Sequence, residues 1–386
     1  MKQLLSFILI TITLFTFGQV TNFKTKFTLP QEVKETSGLL LVNGKIVTHN
    51  DSGDTANLYE IDSLSGNLIR TITISNATNV DWEDITEDST HIYIGDIGNN
   101  AGSRTDLKIY KILKADYLTN TSVKAEIINY SYEDQTDFTS RPNANNFDAE
   151  AIVIYQNSLI IFTKNWINSQ TNVYKIPLSA GTYSAEKVST ANVEVLITGA
   201  TYNLENDTFF LSAYDKSANP FLIYIDKNRK PGENIFFSGF TKISLIDKIE
   251  QGSQIEGITA FGNGKYYLSR EFVSVNQRGM TFTFPQRLYE FYDEKHNLLS
   301  IHQNNSSNVV SIQPNPVVDN LIINMANQIV AITDVKVYSI LGKQVAGLKF
   351  LKSSNEVDVS SLKKGVYLIK IRLEDQTFVS KKFIKL

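Results

Sequence analysis

The stretch Leu58-Tyr-Glu-Ile-Asp62, a Gly66-Asn67 turn and Leu68-Ile-Arg-Thr-Ile72 predict two short β-strands joined by a tight turn. This pair of strands recurs, in whole or in part, at Leu107-Lys-Ile-Tyr-Lys-Ile112, at Asn172-Val-Tyr-Lys-Ile176, and at Leu288-Tyr-Glu-Phe-Tyr-Asp293 followed by Leu298-Leu-Ser-Ile301. A unit that recurs along a chain indicates a repeat architecture.

The strand that opens each repeat has its own signature: an oxygen-bearing residue, usually a small residue, then an apolar one. The signatures begin at Ser37, Glu83, Glu150, Thr198 and Glu256, at intervals of 46, 67, 48 and 58 residues. A second strand follows each, over residues 45–49, 91–94, 158–163, 208–213 and 265–270. Four strands per unit at this period are typical of a β-propeller blade. We therefore expect an all-β, five-bladed (alternatively six-bladed) propeller, closed by residues 22–29 against the last blade.

Composition excludes several classes of protein. The 386 residues are 42% hydrophobic and include 22 Phe and 18 Tyr, far more core-forming side chains than a disordered chain carries. The net charge of −3 provides no basic field for nucleic acid. The absence of cysteine excludes disulfides, thiolate nucleophiles and Cys-ligated zinc. No nucleophile elbow, His-Glu-x-x-His, phosphate loop or dinucleotide fingerprint occurs in the sequence.

The N-terminus has the pattern of a secretory signal peptide. Residues 1–18 contain one Lys, a short apolar stretch from Leu4 to Phe17, and Gly18 before Gln19. An uncleaved anchor is the alternative, but the stretch is shorter than the roughly 20 residues that span a bilayer. We expect cleavage, export from the cytoplasm and no transmembrane segment in the mature protein.

A change in composition near residue 304 divides the chain. Residues 304–311 lie in a stretch rich in Asn and Ser and are predicted to be a linker. Residues 304–386 carry 11 basic and 6 acidic side chains, whereas residues 19–303 carry 25 and 34. An acidic propeller of residues 19–303 and a basic tail of residues 312–386 are therefore expected to be separate domains.

The tail contains alternating strands over 365–373 and 377–386 and predicts a small β-sandwich. Its ordered motifs are Ile312-Gln-Pro-Asn-Pro-Val-Val-Asp-Asn320, Val335-Lys-Val-Tyr-Ser-Ile-Leu-Gly-Lys-Gln-Val345, Val357-Asp-Val-Ser-Ser-Leu-Lys-Lys-Gly-Val-Tyr-Leu-Ile-Lys370 and Lys381-Lys-Phe-Ile-Lys-Leu386. They resemble the type A C-terminal sorting domain of type IX secretion substrates. The resemblance implies handling by the type IX machinery, removal of the tail, and release or attachment to the outer cell surface. An ordinary accessory sandwich is the alternative.

Polar residues converge on one end of the predicted propeller. The first strand of a blade begins, and the antiparallel second strand ends, on the same face, so both sets of residues should surround one mouth of the channel. The candidate metal ligands at this mouth are Glu83, Glu150 and Glu256. The candidate ligand-binding residues are His49, Asn50, Asp51, Asp96, Asn99, Asn165 and Arg270.

Three carboxylates held close together need either raised pKa values or a bound cation. Oxygen-only ligands favour a hard ion, and flexible coordination by several carboxylates suits calcium better than magnesium. The alternative is structural: each Glu would accept backbone N–H groups of the neighbouring blade and tie the blades together. Lys164 and Arg270 would then either bind an anionic group or offset the carboxylates.

The propeller also resembles a known group. Thr48-His-Asn-Asp-Ser-Gly-Asp54, Asp81-Trp-Glu-Asp-Ile-Thr86, Gly95-Asp-Ile-Gly-Asn99 and Gln254-Ile-Glu-Gly-Ile-Thr259 are similar to the SdiA-regulated propellers, which are distantly akin to NHL-repeat proteins. The resemblance implies a five-bladed propeller with a calcium site and no defined reaction. Ser37 and Thr198 depart from it, because they stand where a Glu ligand is expected.

The functional expectation is a secreted or cell-surface binding propeller for an unidentified small molecule, glycan or protein. The alternative is a calcium-dependent phosphoesterase or phytase-like hydrolase, which needs basic residues as well as metals at the mouth to hold a phosphate. A purely structural surface protein is a third possibility.

Overall fold

The structure is a computed structural model that describes residues 20–226, 234–236, 239–277, 279–293, 310–325, 332–339, 344–345, 348–373 and 378–386. The chain divides into two compact units, residues 1–298 and 299–386. The predicted signal peptide, linker residues 304–309 and the predicted strand at 298–301 lie outside the described residues.

The first unit consists of antiparallel sheets arranged as blades. β1 (Val20–Thr28) and a 3₁₀ turn (Gln31–Val33) precede the first blade, which contains β2 (Thr36–Val42), β3 (Lys45–Asn50), β4 (Asn57–Ile61) and β5 (Leu68–Ile74). The second blade contains β6 (Trp82–Glu87), β7 (His91–Asp96), β8 (Lys108–Leu113) and, after helix α1 (Lys114–Thr119) and the short β9 (Ser122–Val123), β10 (Glu126–Tyr132). β9 runs parallel to β5 and adds a fifth strand to the outer edge of the first blade.

The third blade contains β11 (Ala149–Tyr155), β12 (Ser158–Thr163), β13 (Thr171–Pro177) and β14 (Gly181–Ala191). β14 runs parallel to β10, so the second and third blades form one eight-stranded sheet. The fourth contains β15 (Leu196–Asn203), β16 (Thr208–Tyr214), β17 (Pro220–Ile225) and β18 (Thr241–Ser244). The fifth contains β19 (Ile255–Gly262) and β20 (Lys265–Arg270), then the separate hairpin of β21 (Val273–Gln277) and β22 (Met280–Phe284), and β23 (Arg287–Asp293).

The innermost strands form a ring within the described part of the chain. β2, β6, β11, β15 and β19 pack against one another in that order, and β19 returns to pack against β2. β1 pairs with β23 and supplies the outer strand of the fifth blade, as the sequence predicts for residues 22–29. This pairing covers an edge that would otherwise be open. The predicted all-β, propeller-like architecture is confirmed.

Apolar side chains fill the spaces between consecutive blades. One cluster, for example, joins Val47 and Leu58 of the first blade to Trp82 and Ile92 of the second. Equivalent clusters lie between the second and third, third and fourth, fourth and fifth, and fifth and first blades. Their burial, worth about 25 cal/mol per Å² of apolar surface, holds the ring together. A second cavity, of about 290 Å³, is lined by inner-strand side chains that include Leu39, Ile85 and Ile258, so the channel is polar only in part.

The glutamate of the repeated Leu-Tyr-Glu motif is buried and forms ion pairs with basic side chains. Glu60 pairs with Lys45 at 3.0 Å and with Arg70 at 3.0 Å. Its counterpart Glu290 pairs with Lys265 at 2.7 Å and with Lys24 of the closing strand at 3.1 Å. The motif therefore recurs because it joins adjacent strands of a blade.

The second unit is a two-sheet β-sandwich, as predicted. Its strands are β24 (Val310–Gln313), β25 (Asn320–Met325), β26 (Ile332–Ser339), β27 (Gln344–Val345), β28 (Lys349–Leu351), β29 (Glu356–Asp358), β30 (Gly365–Leu373) and β31 (Phe378–Lys385). The sheet orders are β24-β25-β29-β28 and β27-β26-β30-β31. β24 includes Val310 and Ser311, which the sequence analysis assigned to the linker, because both pair with β25. None of the described helices is long and apolar enough to span a membrane.

Candidate functional site

A β-bulge interrupts the pairing of the inner strand with the second strand in every blade. The bulges contain the five signature residues of the sequence analysis: Ser37, Glu83, Glu150, Thr198 and Glu256. A bulge inserts an extra residue and re-aims its side chain. All five side chains are buried at one end of the ring.

The two hydroxyl residues link neighbouring blades. Ser37 Oγ donates a hydrogen bond to the carbonyl oxygen of Glu83. Thr198 Oγ1 donates to the carbonyl oxygen of Ile255 at 2.6 Å. These positions therefore tie the first blade to the second and the fourth to the fifth, which explains why they carry no carboxylate.

The residue after each signature approaches the next inner strand closely. A Cβ atom on Gly38 would lie 2.6 Å from the backbone nitrogen of Ile85, and a Cβ on Gly257 would overlap the carbonyl oxygen of Ser37. The second blade has Asp84 at this position, and its carboxylate fills the space that the small residues leave. This carboxylate accepts the backbone N–H groups of Ile152 in the third blade and Ala200 in the fourth blade. The structural alternative assigned bonds of this kind to the glutamates.

The mouth cavity is the polar depression of about 190 Å³ above the bulges. Its carboxylates come from four blades: Asp51, Glu83, Glu150, Glu256 and Glu271. Ser37, Asn100, Asn143, Lys164, Trp166, Tyr214 and Gln254 complete its lining. The structure thus brings the three predicted metal-ligating glutamates to one cavity.

Only one of these glutamates belongs to the tightest acidic cluster among the described residues. Carboxylate oxygens of Asp51, Asp81 and Glu83 all lie within 4.8 Å of one another. Asp51 Oδ1 is buried and has no hydrogen-bond partner in the described part of the chain. A Cβ on Gly98 would overlap the carboxylates of Asp81 and Glu83, so glycine is required for the loop to pack against them.

Glu150 has a cation of its own. Lys164 Nζ lies 3.1 Å from Glu150 Oε1, and both side chains are buried. The ammonium group also lies 5.0 Å from the ring centres of Trp166 and Tyr214. Burial alone would lower the pKa of Lys164, but Glu150, Tyr214, Glu256 and Asp148 together outweigh it and raise the pKa, so the ion pair persists. Lys164 therefore offsets a carboxylate rather than lying open to an anion.

The remaining carboxylates of the cavity have raised pKa values. Burial, with repulsion from Asp81 and Glu271, raises the pKa of Asp51 to about 8. Burial raises the pKa of Glu271 to about 7. Burial, followed by repulsion from Glu150 and Asp51, also raises the pKa of Glu83. A bound cation would relieve this repulsion.

Most of the predicted ligand-binding residues lie outside the lining of the mouth cavity. Of the seven, Asp51 alone lines the mouth cavity as described. Asn50 organises its own loop by donating to Asp54 Oδ2 at 2.7 Å. Asp96 pairs with Arg104 at 2.8 Å and accepts the backbone N–H of Asp81, so it positions that residue. Asn99 donates its backbone N–H to Asp148 Oδ1 at 2.5 Å, and Asn165 accepts a hydrogen bond from Thr163 Oγ1 at 2.6 Å.

His49 is a core residue. It has no exposed surface, and its ring packs edge-on against Trp82 with the ring centres 5.6 Å apart. Burial lowers its pKa to about 4, which keeps the imidazole neutral. Trp82 is likewise fully buried between blades.

Arg270 lies at the base of the β21–β22 hairpin. Its guanidinium donates to the carbonyl oxygen of Pro285 at 3.0 and 3.1 Å and pairs with Glu250 at 2.8 Å. The side chain is 1% exposed and is not part of the cavity lining. It is placed to clamp the chain on either side of the hairpin.

Sequence reasoning missed three contributors: Asp81 as a cluster member, Asp84 as the link between blades, and Asn143 from a distant loop. Asp81 and Asp84 lie in the quoted Asp-Trp-Glu-Asp run, so the signal was present, but the bulge at Glu83 decides where each side chain points. Asn143 has no sequence signal, because it reaches the cavity through a long loop.

Comparison with known proteins identifies the tail. Residues 311–386 match the family described as the secretion system C-terminal sorting domain. This match confirms the resemblance of the tail to type IX sorting domains. It indicates export and a secreted or cell-surface location.

The structural comparisons are remote. Hydrazine synthase of Kuenenia stuttgartiensis has a TM-score of 0.33 at 8% identity, covering 65% of this chain and 59% of that one. The extracellular domain of a one-component system from Bacteroides thetaiotaomicron has a TM-score of 0.32 at 12% identity, covering 94% and 58%. A protein of unknown function from Bacteroides thetaiotaomicron has a TM-score of 0.38 at 11% identity, covering 70% and 75%.

The chain spans less than two thirds of the length of the first two of these structures. Similarities this low carry no information about function. No curated protein matches the sequence. The resemblance to the SdiA-regulated and NHL-like propellers stays a prediction.

Proposed function

We propose that this protein is a secreted or cell-surface binding protein whose propeller mouth holds a calcium ion through Asp51, Asp81 and Glu83. The ion would order the mouth, and the cavity around it would bind a small molecule, a glycan or a segment of another protein. The observation that carries the proposal is the cluster of three carboxylates within 4.8 Å, together with the unpartnered oxygen of Asp51.

The chemistry of the cluster fits a hard cation. All its donors are carboxylate oxygens, which calcium accepts in numbers and geometries that magnesium does not. No Lys or Arg is paired with any of the three side chains in the ion pairs that the structure describes. Asp96 and Arg104 lie behind Asp81 and hold its backbone.

This ligand set differs from the one expected from the sequence. Glu83 is common to both, but Lys164 already neutralises Glu150. Asp51 and Asp81 replace Glu150 and Glu256, because the cluster forms between the first and second blades rather than around the channel axis.

The cations near the mouth favour binding over phosphoester hydrolysis. Lys164 is paired with Glu150, Arg270 with Glu250, and Arg104 with Asp96. Hydrolysis at a metal cluster needs basic groups available to hold the phosphate as well as the ions. These three are engaged by the protein itself.

Thermal melts of the purified chain in calcium and in chelator test the proposal. A hundredfold excess of calcium over its dissociation constant stabilises the folded state by about 2.7 kcal/mol. We expect a rise in melting temperature of several degrees, at roughly 2–4 °C per kcal/mol. Asp81→Asn should abolish most of the rise. Glu150→Gln, in the same cavity but paired with Lys164, should lose stability in both buffers and keep the rise. Equal melting temperatures of the parent in the two buffers would end the calcium proposal.

A further inference from the structure

The hairpin of β21 and β22 has one apolar and one polar face. Its cross-strand pairs Val273–Phe284 and Val275–Phe282, with Met280 opposite Gln277, place apolar side chains on one face. Pairs of small polar residues, Ser274–Thr283 and Asn276–Thr281, occupy the other. A strand with this alternation normally packs its apolar face on a core.

The outer part of this apolar face is exposed within the part of the chain that the structure describes. Val275 is 46% exposed, Met280 60% and Phe282 43%. The two strands pair only with each other in the described sheets. Since a contiguous exposed apolar patch marks an interaction site, and a lone hairpin gains little stability from its own strands, the face is expected to acquire a partner.

The root of the hairpin is anchored beside the mouth. Phe272 donates its backbone N–H to the carbonyl oxygen of Lys34 at 2.7 Å, and Arg270 grips Pro285 on the other side. Glu271, the residue before Phe272, lines the mouth cavity. The hairpin therefore begins two residues after a residue that lines the cavity.

The side of the cavity nearest the hairpin is acidic and incompletely bonded. Glu256 is 6% exposed, lines the cavity, and has an Oε2 atom without a hydrogen-bond partner in the described residues. Burial raises the pKa of Glu256, although Lys164 attracts its charge, and Glu271 repels that charge. A cationic group entering from above would satisfy both carboxylates.

We propose that the hairpin and the fifth-blade side of the mouth together bind an extended peptide segment of another protein. A Lys or Arg side chain of this peptide would point towards Glu256 and Glu271. Its apolar side chains would pack on the face formed by Val275, Met280 and Phe282. Side chains of an extended peptide alternate between faces, so residues at i and i+2 can contact the cavity and the hairpin together. The inference rests on the proposed binding role of the mouth, but not on calcium.

Two other occupants fit less well. A second copy of the chain would stack hairpin on hairpin, but ten residues present far less than the roughly 800 Å² per partner of a stable interface. An anionic lipid surface would be repelled by the carboxylates beside the hairpin. Charge complementarity therefore favours a basic and apolar peptide.

The test uses the full chain and two libraries of nine-residue peptides, with Ser at even positions and Val, Ile, Leu, Phe or Met at odd ones. One library has Arg at position 5 and the other has Glu there. We expect the Arg library to bind at least about tenfold more tightly, a difference that fluorescence polarisation resolves. Val275→Thr combined with Phe282→Thr should weaken binding about tenfold, whereas the polar-face control Asn276→Ser with Thr281→Ser should leave it unchanged. Glu256→Gln should reduce the preference for Arg over Glu.

The calcium response of each variant in thermal melts separates this inference from the proposed function. A hairpin variant that keeps the calcium response has a folded propeller. If such a variant no longer binds the peptides, the result supports the inference. Equal binding of the two libraries, or no binding by the parent, overturns it whatever the calcium result. Hairpin-dependent binding to phosphatidylglycerol vesicles would assign the face to lipid, and a hairpin-dependent doubling of mass would assign it to a second copy. Either result would overturn the inference.

Discussion

The carboxylate of Asp84, on the inner strand of the second blade, accepts the backbone N–H of Ala200, on the inner strand of the fourth blade, at 3.2 Å. The same carboxylate accepts the N–H of Ile152 on the third blade at 2.9 Å. One side chain thus joins three inner strands across the channel. It fits there because the corresponding positions of the other blades are Gly38, Ala151, Gly199 and Gly257.

Asp84→Ala should destabilise the propeller strongly. The substitution leaves buried N–H groups of Ile152 and Ala200 without acceptors, and each buried unsatisfied donor costs about 1–3 kcal/mol. We expect a loss of about 3 kcal/mol in the free energy of unfolding by urea titration. Asp84→Asn keeps an acceptor oxygen and should lose less, and Asp116→Ala on the exposed side of α1 should lose almost nothing. Equal losses of unfolding free energy for Asp84→Ala and Asp116→Ala would show that the hydrogen bonds accepted by Asp84 do not stabilise the propeller.

Lys164→Met should have opposite effects on stability and on calcium affinity. Without its ammonium group, Glu150 becomes a buried carboxylate with no cation, and the folded state in chelator is destabilised. Removing a positive charge that acts on Asp51 should tighten calcium binding about fivefold, close to 1 kcal/mol.

Calorimetric titration of calcium into the parent and Lys164→Met measures the second effect. Lys175→Met, which removes a cation from an exposed pair with Glu186, is the control and should not change the affinity. Weaker calcium binding by Lys164→Met would contradict the assigned ligand set.

Stability should depend on pH through the ion cluster that closes the ring. Burial alone would raise the pKa of Glu290, but Lys265 and Lys24 outweigh it and hold the pKa below its usual value. A carboxyl group whose pKa is lowered by folding stabilises the protein above its unfolded pKa of about 4.3, and this contribution is lost as the pH falls through the folded value.

Glu290→Gln mimics the protonated group, so the difference in free energy of unfolding between parent and variant should be about 1.5 kcal/mol at pH 7. It should be smaller at pH 3, because the ionic contribution is lost as the pH falls through the folded pKa. Urea titrations across this range measure the difference. The control Glu186→Gln removes an exposed pair and should cost less than about 0.5 kcal/mol at either pH. A difference that does not change with pH would exclude the ionic contribution of Glu290.

The strands were predictable because their signals are local. The second strands of the third and fifth blades, residues 158–163 and 265–270, begin and end where the sequence predicts. Apolar side chains bounded by turn residues determine these limits, and the neighbouring blades only reinforce them. The closing strand was predictable for a different reason: a ring of blades leaves one unpaired edge, which the first strand of the chain can cover.

The sequence predicts which glutamates lie at the same cavity, but not which carboxylates form the proposed ion site. Strand direction correctly brings Glu83, Glu150 and Glu256 to one cavity. Which carboxylates share an ion depends on Lys164, whose side chain pairs with Glu150, and on the bulge that separates Glu83 from Asp84. Both depend on packing between strands distant in sequence. The alternation of the hairpin is visible in the sequence, but its exposure follows from the sheet order alone.

Gly98→Ala should remove the calcium response without removing any charge. A Cβ atom at this position would overlap the carboxylates of Asp81 and Glu83, which must then move apart. Overpacking of this kind costs about 1–3 kcal/mol in chelator, and the displaced carboxylates can no longer share an ion. Gly95→Ala is the matched control, because the atoms nearest its Cβ belong to the buried side chain of Ile97, at 2.9 Å, and not to a carboxylate. Thermal melts in calcium and in chelator should show the calcium-dependent rise in Gly95→Ala and not in Gly98→Ala. A full rise in Gly98→Ala would contradict the assignment of Asp81 and Glu83 as ligands, because the added methyl group takes the space that their carboxylates occupy in this structure.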